Sequence, residues 1–531
     1  MGADRAWRST PELVSVAAER FGDAEALVDG DARLSFRDLA AAVRRAGKGF
    51  VAAGVAPGDR VGIWAPNVGE WVAAALGVHA AGAVLVPVNT RFKGEEAAWV
   101  LGRSGARVVL TITGFLGTDY VGMLQAIDGV EQVVVLRADA PAGTTAWDDF
   151  LAAGDGVDDA EVDRRSAAVG ADDTSDVIFT SGTTGRPKGV VTTHGQTLRA
   201  FDDWSRIVGL REGDRYLVVN PFFHTFGYKA GFLACLMRGA TIVPHAVFDV
   251  PSVLARVAEE RISMIPGPPT LYASILDAPD RASLDLSSLR LAVTGAAPVP
   301  VPLIERMRDE LTFETVLTAY GLTEATGVVT ICRQDDDPET ISRTSGRAIP
   351  EVEVRIVDDS GAEVDRGAPG EIVVRGYNVM QGYFEDPEAT AEAIDEQGWL
   401  HTGDIGVMDD RGNVTITDRK KDMFVVGGFN AYPAEIEGTL LRHPAVGQVA
   451  VVGVPDERMG EVGMAFVIPR PGATVDGDEL VAWARERMAN YKVPRRVAVV
   501  EALPLNASGK VLKHELRART APRSPESSGD T

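Results

Sequence analysis

A loop rich in glycine and hydroxyl side chains is the clearest chemical feature of the chain. It reads TSGTTGRPKG from Thr180 to Gly189, between β-branched apolar stretches that begin at Val177 and Val190. Its glycines permit close backbone approach, and its hydroxyls and Lys188 supply hydrogen-bond donors, so the loop suits a polyphosphate better than it suits an idle surface turn. The residues predicted to hold the phosphates are Thr180, Ser181, Gly182, Thr183, Thr184, Gly185 and Lys188.

This loop is not a Walker A motif. That motif needs Ser or Thr directly after its lysine, and then a helix whose N-terminus faces the phosphates. Here Lys188 is followed by Gly189 and a β-branched stretch. The sequence therefore predicts a nucleotide site of another architecture, with a strand on either side of the loop.

Five further motifs follow along the chain. They are YGLTE at Tyr320–Glu324, GWLHTGD at Gly398–Asp404, DRKKD at Asp418–Asp422, GGFN at Gly427–Asn430 and LPLNASGK at Leu503–Lys510. With the loop, they resemble the AMP-forming adenylating superfamily, which contains acyl-CoA synthetases, firefly-type luciferases and adenylation domains of nonribosomal peptide synthesis. Six motifs in this order cover most of the chain and are very specific together.

The resemblance implies a ligase that uses ATP, Mg²⁺ and coenzyme A. A carboxylate would attack the α-phosphorus of ATP and release pyrophosphate, and the acyl-adenylate would then pass its acyl group to the CoA thiol. The alternatives are a loader of carrier-protein thiols, a luciferase-like oxidase and a non-catalytic homologue. No carrier segment with its serine follows Lys510, which disfavours a built-in acceptor.

The predicted catalytic residues are Lys510, Glu324, Thr180 and Lys188. The resemblance makes Glu324 the carboxylate linked to Mg²⁺, a hard cation that prefers oxygen ligands. It makes Lys510 the cation that touches both the attacking carboxylate and the bridging oxygen. From the residues alone, a lysine near a C-terminus is a solvated surface group, but Asn506 and Gly509 form a turn that can present it.

The nucleotide would be held by groups from several motifs. By the resemblance, Tyr320 stacks on adenine, Asp404 accepts both ribose hydroxyls, and Arg419 also reaches the ribose. Taken singly, Tyr320 would be a core aromatic and Asp404 a cap or turn residue. The remaining predicted nucleotide-binding residues are Gly295, Ala296, Ala297, Gly321 and Thr323.

The second half-reaction would use another arrangement of the domains. In the family, the small C-terminal domain rotates about the position that Lys421 occupies here, and glycines such as Gly427 and Gly428 line the tunnel for pantetheine. The residues alone would place Lys421 in an ordinary solvated charge run.

The segment Asn220–Ala230, NPFFHTFGYKA, resembles the family's acid-binding gate. His224 would lie near the carboxylate, although a lone histidine among aromatics is more often a core residue. Phe223 and Tyr228 would supply apolar walls, and Thr294 and Gly295 complete the predicted pocket. Lys229 would either donate to a substrate ketone or form a salt bridge at the pocket rim, and we favour the salt bridge.

Three stretches resemble one branch of the family more closely. They read NPFFHTFGYKAGFLACL, PGPPTLYASILD and DLSSLRLAVTGAAPVPVPLIERM. That branch comprises the actinobacterial HIP–CoA ligases, which activate the methylhexahydroindanedione propionate left by steroid-ring degradation. The resemblance therefore implies this bicyclic diketo acid as substrate, with a medium- or long-chain fatty acid or an aryl acid as the alternative.

The elements needed to position these motifs follow an α/β pattern. Helical periodicity at Leu39–Ala53 alternates with buried strands at Arg60–Trp64, Ala83–Val88 and Arg107–Thr111, which predicts parallel sheets covered by helices. Short strands after Thr340 predict a small β-barrel. We predict an N-terminal domain at 1–417, built from two doubly wound α/β subdomains (1–175, 176–340) and the barrel (341–417). A hinge at 418–422, a small mobile α+β domain at 423–520 and a disordered tail at 521–531 follow.

Composition excludes several function classes. The net charge of −23 argues against binding of nucleic acid or of anionic membrane surfaces. Cys235 and Cys332 are read as reduced packing residues of a cytoplasmic protein, since the N-terminus lacks a signal peptide pattern. The apolar run from Trp71 to Val88 predicts a buried helix followed by a strand rather than a membrane span. Homodimerisation stays open.

Overall fold

The computed structural model describes residues 7–137, 139–180, 186–295, 299–419, 422–426, 429–456, 458–488, 490–505 and 511–520. The chain forms two compact units. Unit 1 consists of Met1–Arg355, Val373–His401 and Asp409–Val414, and unit 2 consists of Ile356–Ile372, Thr402–Met408 and Thr415–Thr531. The domain boundaries drawn from the sequence stay predictions.

Helices occur in both units. The α-helices are α1 Thr10–Phe21, α2 Phe36–Ala52, α3 Gly69–Ala80, α4 Gly94–Ser104, α5 Tyr120–Gln125, α6 Trp147–Ala153, α7 Asp159–Ala168, α8 His194–Val208, α9 Thr225–Gly227, α10 Ala234–Arg238, α11 Val250–Glu260, α12 Pro269–Leu276, α13 Val301–Leu311, α14 Pro338–Arg343, α15 Pro387–Ala393, α16 Pro433–Leu440, α17 Gly477–Arg485 and α18 Lys513–Thr520. A π-helical turn, Tyr228–Leu233, joins α9 to α10.

The strands are as follows: β1 Glu25–Asp29, β2 Ala32–Ser35, β3 Arg60–Trp64, β4 Val84–Pro87, β5 Val108–Thr111, β6 Gln132–Val135, β7 Thr145–Ala146, β8 Thr174–Thr180, β9 Lys188–Thr193, β10 Arg215–Val218, β11 Thr241–Pro244, β12 Met264–Pro266, β13 Leu291–Thr294, β14 Thr315–Tyr320, β15 Thr330–Ile331, β16 Arg347–Ala348, β17 Val352–Val357, β18 Gly370–Gly376, β19 Gly382–Tyr383, β20 Leu400–Met408, β21 Val414–Arg419, β22 Phe424–Val426, β23 Phe429–Ala431, β24 Val446–Asp456, β25 Gly460–Pro469 and β26 Arg496–Val499.

The described part of the chain builds two large sheets in unit 1. One has the strand order β19-β9-β8-β4-β3-β5-β6-β7, and the other has the order β16-β15-β14-β13-β12-β10-β11-β1-β2. The central strands β3, β4 and β5 pair in parallel, as do β12, β13 and β14. Parallel strands covered on both faces must be apolar throughout, which explains the fully buried runs at β4 and β5.

Two smaller sheets complete the described strands. One has the order β17-β18-β20-β21, and the other joins β23, β22, β25 and β24, with β26 beside β25. In unit 2, β24 and β25 form a long antiparallel hairpin whose register runs from Val446↔Pro469 to Asp456↔Gly460. These two sheets and the two large sheets, whose central strands are parallel, confirm the predicted fold class: α/β layers with a small half-barrel and an α+β C-terminal unit.

Local signals explain where the elements begin. The helix predicted at Leu39–Ala53 starts earlier, at Phe36, because Ser35 and Asp38 form a reciprocal capping box. The apolar run from Trp71 is a buried helix, α3, followed by the buried strand β4, as predicted. No helix among the described residues is both long enough and apolar enough to cross a membrane.

Candidate active site

The phosphate loop lies at the end of a β-hairpin. Strands β8 and β9 pair antiparallel, with Thr180 directly opposite Lys188. Side chains alternate along a strand, so Thr180 and Lys188 share one face at the point where the loop leaves and returns. The predicted phosphate ligands between them, Ser181, Gly182, Thr183, Thr184 and Gly185, lie outside the described residues.

Glu324 lies beside this hairpin end. It belongs to a 3-10 turn, Thr323–Ala325, that follows the parallel strand β14. The Thr180 hydroxyl points to Glu324 Oε1 at 3.5 Å, so the structure brings together two of the predicted catalytic residues. The loop hairpin and the carboxylate come from different sheets of unit 1, and their side chains meet at this point.

Tyr383, a residue that the sequence reasoning missed, completes this cluster. Its hydroxyl donates to Glu324 Oε1 at 3.1 Å, and the Lys188 ammonium lies 5.1 Å from the centroid of its ring. Burial and the charge of Glu324 raise the pKa of the Tyr383 hydroxyl well above its usual value, so the hydroxyl stays protonated and able to donate. Tyr383 therefore bridges the predicted magnesium carboxylate and the predicted phosphate lysine.

The short strand β19 holds Tyr383 in this place. Gly382 pairs with Val191 and Tyr383 pairs with Val190, so β19 extends the hairpin sheet beyond β9. The backbone N–H of Met380 donates to the carbonyl of Glu324 at 2.8 Å. Both the backbone and the side chain of Glu324 are thus tied to one segment. The sequence gives no local sign of this pairing, because β19 and β9 are far apart along the chain.

Trp99 supports the chain where it leaves the loop. Its indole N–H donates to the carbonyl of Pro187 at 3.0 Å, and the guanidinium of Arg186 lies 4.3 Å from the centroid of its ring. These residues also line a cavity of about 300 Å³ beside α4. The cation–π contact and the hydrogen bond together hold the segment immediately before Lys188 against Trp99.

The predicted nucleotide residues of unit 1 lie at the carboxyl ends of parallel strands. Thr294 ends β13 and Gly295 follows it, and Tyr320 ends the neighbouring strand β14, as expected for a ligand site of an open α/β sheet. Gly321 has no room for a side chain, because a Cβ there would lie 2.2 Å from the carbonyl oxygen of Gly327. Ala296 and Ala297 lie outside the described residues.

The Thr294 hydroxyl has an unusual environment. Thr294 is buried, and its hydroxyl has no hydrogen-bond partner among the described atoms. A buried unpaired hydroxyl is unfavourable unless a ligand satisfies it. This supports the prediction that Thr294 faces the substrate or nucleotide.

The predicted ribose residues belong to unit 2. Asp404 is buried on β20, and its backbone N–H donates to the Thr402 hydroxyl at 3.1 Å. Arg419 is the last residue of β21. Lys421, Gly427, Gly428 and Lys510, which carry the predicted hinge, the CoA tunnel and the catalytic ammonium, lie outside the described residues.

The predicted acid gate is only partly in accord with the structure. His224 is exposed and caps α9, where its Nδ1 accepts from the backbone N–H of Phe226 at 3.2 Å, and Phe223 is half-buried beside it. Tyr228 and Lys229, in contrast, are fully buried. The Tyr228 hydroxyl lies 2.8 Å from His79 Nε2, which makes it a core aromatic in this arrangement rather than a wall of an open pocket.

The expected position of Lys229 at a pocket rim is wrong. Lys229 does form a salt bridge, with its ammonium 3.0 Å from Asp176, but both side chains have no exposed surface. An ammonium is buried only where a paired charge offsets its lost hydration, and Asp176 provides that charge on the adjacent strand β8. In this arrangement Lys229 offers no donor to a substrate ketone.

The site fits magnesium. Among the residues that the structure describes, no cluster of three or more histidine, cysteine, aspartate or glutamate side chains could hold a metal ion. Glu324 is a single half-buried carboxylate beside the phosphate hairpin. One carboxylate together with substrate phosphates is the usual way in which enzymes bind Mg²⁺, so the donor set agrees with that cofactor.

Comparison with known proteins gives matches along nearly the whole chain. The model of the AMP-binding enzyme family matches residues 14–384, and that of the AMP-binding enzyme C-terminal domain matches residues 435–510. A CoA ligase from Rhodococcus jostii, named for a methyl-dioxo-octahydroindenyl propanoyl group, is 53% identical to this chain. The match covers 96% of this chain and 98% of that ligase. The ligase of the same name from Mycobacterium tuberculosis is 50% identical, with the same two coverages.

Solved structures agree with these matches. ATP-bound MatB from Rhodopseudomonas palustris superposes with a TM-score of 0.85 at 28% identity, and it covers 96% of this chain and 99% of that chain. An anthranilate CoA ligase bound to anthranoyl-AMP superposes with a TM-score of 0.83 at 26% identity, with 97% and 98% coverage. With the hairpin, the Glu324 cluster and two family models in sequence order, the chain belongs to the AMP-binding enzyme family.

Proposed function

We propose that this chain joins coenzyme A to the propionate side chain of a methylhexahydroindanedione acid, the bicyclic product of steroid-ring degradation. The reaction is that of an AMP-forming acyl-CoA synthetase: acid, ATP and CoA give acyl-CoA, AMP and pyrophosphate. The observation that carries the choice of acid is the identity of 53% and 50% to two ligases named for this acyl group, over 96% of the chain.

The local chemistry supports this assignment. Thr294 and Gly295 lie at the carboxyl end of β13, beside β14, and the unpaired buried hydroxyl of Thr294 is available to a polar ligand group. A bicyclic acid with ketones needs a few such donors in a largely apolar site. Feruloyl-CoA synthases, at 39% identity, and medium-chain ligases, at 34%, are more distant, and their acids serve as the competing substrates in the test.

Adenylation brings two anions together, so the site must offset their repulsion. In the proposed mechanism Lys188 and the loop hydroxyls hold the phosphates at the hairpin end, and Glu324 is held for its metal by the Tyr383 hydroxyl. Bound Mg²⁺ would supply positive charge to the phosphate oxygens during the displacement. Thr323 would hydrogen-bond the α-phosphate, and Lys510 would contact the attacking carboxylate.

The remaining roles are proposed from the family motifs. Tyr320 would stack on adenine, and Asp404 and Arg419 would bind the ribose. Lys421 would be the hinge about which the C-terminal unit turns between half-reactions, and Gly427 and Gly428 would line the path of pantetheine. We also propose that the enzyme acts in the cytoplasm; gel filtration with light scattering will decide between a monomer and a homodimer.

One assay tests the function. The purified chain is incubated with ATP, Mg²⁺ and single acids: the indanedione propionate, ferulate, octanoate and malonate. We expect acyl-CoA and sustained AMP release that both require CoA, with a kcat/KM for the indanedione acid at least tenfold above the others. A higher kcat/KM for octanoate or ferulate would overturn the substrate, and an adenylate that forms but never transfers to CoA would overturn the ligase.

A further inference from the structure

A buried ion pair connects two parts of the active site. The Lys229 ammonium lies 3.0 Å from Asp176 Oδ1 and donates to the Thr192 hydroxyl at 2.7 Å. The Thr192 hydroxyl in turn donates to Asp176 Oδ1 at 2.9 Å, and the Ser175 hydroxyl donates to Asp176 Oδ2 at 2.6 Å. Every member of this cluster is buried, and both carboxylate oxygens of Asp176 accept hydrogen bonds.

On one side the cluster belongs to the phosphate hairpin. Asp176 pairs with Thr192, Ile178 with Val190, and Thr180 with Lys188. Because side chains alternate, these three cross-strand pairs share one face of β8 and β9. Asp176 therefore stands four residues, about 13 Å, from Thr180 along the same face. β8 and β9 are neighbours within the eight-stranded sheet, and a shift of β9 against β8 at Asp176 would be passed along their paired residues towards the loop.

On the other side the cluster belongs to the helix of the acid gate. That helix begins with α9, which His224 caps, and it continues through the π-helical turn Tyr228–Leu233 into α10. A π-turn replaces the regular hydrogen-bond pattern of an α-helix and is frequent at functional sites. Here it includes both Tyr228 and Lys229, whose polar atoms bind His79 and Asp176 inside the core.

The histidines around the cluster do not add a second positive charge. Burial lowers the pKa of His79 to about 4, and burial also lowers the pKa of His194 well below its usual value. The two rings are 5.0 Å apart, and the Thr10 hydroxyl lies 2.9 Å from His194 Nδ1. Burial lowers the pKa of the Lys229 ammonium, and the charge and hydrogen bond of Asp176 oppose that shift. Asp176 is therefore the group that keeps Lys229 charged, and neither histidine can replace that charge.

We propose that the ion pair between Lys229 and Asp176 is a positioning element that fixes the acid-gate helix against the phosphate hairpin, so that the carboxylate and the α-phosphate meet in the geometry for adenylation. This inference rests on the proposed function in that it assumes an adenylation step. It does not depend on which acid is used. Lys229 acts through the backbone of its helix and touches no reacting atom.

Measuring the two half-reactions separately distinguishes a loss of positioning from a loss of stability. Adenylation requires that the acid and ATP be aligned by the protein, and misplacement by about 1 Å can slow such a step on the order of a hundredfold. Thioester formation from supplied acyl-adenylate starts with the acid and phosphate already joined by a covalent bond. Loss of alignment therefore slows the first step alone, whereas partial unfolding lowers both in proportion.

The decisive experiment measures both half-reactions in Lys229→Met, with whichever acid the wild type activates best. Pyrophosphate release reports adenylation, and acyl-CoA formation from acyl-adenylate reports transfer. We expect adenylation to fall at least tenfold while transfer stays within twofold of wild type. Lys229→Met combined with Asp176→Asn, which removes both charges and leaves no unpaired buried charge, is expected to show the same loss of adenylation, and it decides the question if Lys229→Met does not fold.

A matched control uses another buried ion pair of unit 1. Arg290 Nε donates to Asp214 Oδ1 at 3.0 Å, at the opposite, amino-terminal ends of β10 and β13. Arg290→Met should lower the melting temperature without changing the ratio of the two half-reaction rates. The proposal is overturned if Lys229→Met, or the double variant where the single variant does not fold, also leaves that ratio unchanged. Because the ratio needs only an acid that wild type activates, a wrong substrate assignment does not alter what the ratio reports.

Discussion

Tyr383→Phe removes one oxygen atom from the candidate active site. The ring remains, so its contact with the Lys188 ammonium at 5.1 Å is retained. What is lost is the hydrogen bond to Glu324 at 3.1 Å. Thr180 cannot replace it, because its hydroxyl is already 3.5 Å from the same oxygen, beyond the usual range for an O–H···O bond. Among the described residues, the 3.5 Å contact with the Thr180 hydroxyl is then what remains at that carboxylate oxygen.

The size of the effect follows from the charge of Glu324. A hydrogen bond to a charged group contributes about 1.5–3 kcal/mol, and each 1.4 kcal/mol is a factor of ten. Tyr383 is half-buried, so the lower half of that range applies, and we expect adenylation to slow by about 10- to 40-fold. The loss should be largest at limiting Mg²⁺, since a disordered carboxylate binds the ion less tightly.

Pyrophosphate release is measured against Mg²⁺ concentration at saturating ATP and acid, with thermal unfolding as a stability check. The matched control is Tyr120→Phe, which removes a hydroxyl that donates to the carbonyl of Thr90 at 2.7 Å. That variant should lose stability but keep its magnesium dependence. If Tyr383→Phe is within twofold of wild type at limiting Mg²⁺, or behaves like the control, Tyr383 does not hold Glu324 for the metal.

Three further predictions concern other residues. Gly321→Ala should lower adenylation at least tenfold, measured by pyrophosphate release, because its Cβ would lie 2.2 Å from the Gly327 carbonyl and must displace the turn that carries Glu324. Lys510→Ala should abolish adenylation yet spare thioester formation from supplied acyl-adenylate; equal loss of both steps would contradict its assigned role. The pKa of His79 is lowered to about 4, below its ordinary 6.5, so its neutral form is favoured in the folded state and stability is lost as pH falls. In chemical denaturation, His79 should account for about 3 kcal/mol of the stability lost between pH 6.5 and 4, and His79→Gln should lose correspondingly less over that range.

Much of the fold follows from local patterns in the sequence. Strand β3 occupies Arg60–Trp64 as predicted, and the hairpin pairs Thr180 with Lys188 where the apolar stretches predict strands on both sides of the loop. These features depend on neighbours along the chain. Apolar periodicity does not reveal the early start of α2, which depends on the capping box of Ser35 and Asp38, although the spacing of that box is visible in the sequence.

The cluster around Glu324 depends on contacts between distant segments. Tyr383 and Glu324 are 59 residues apart and meet because β19 adds to the free edge of β9. The pairing of a two-residue strand has no periodicity to detect, and its partner is chosen only when both sheets are assembled. For such residues the sequence identifies candidates, and only the tertiary structure shows which of them come together.

The pairing of Lys229 with Asp176, in contrast, is partly predictable from the sequence. An ammonium within an aromatic run and a carboxylate within the strand SDVIF are each unfavourable in a core without a partner. Two opposite charges in apolar segments are therefore better predicted to pair with one another than to reach a surface, and the structure joins them with no exposed area. The same reasoning predicts how substitutions affect stability. Replacing one partner leaves an unpaired buried charge, whereas replacing both does not. Lys229→Met combined with Asp176→Asn should thus recover much of the stability lost in the single variant. If alignment for adenylation needs the ion pair itself, the double variant will fold well and still adenylate slowly.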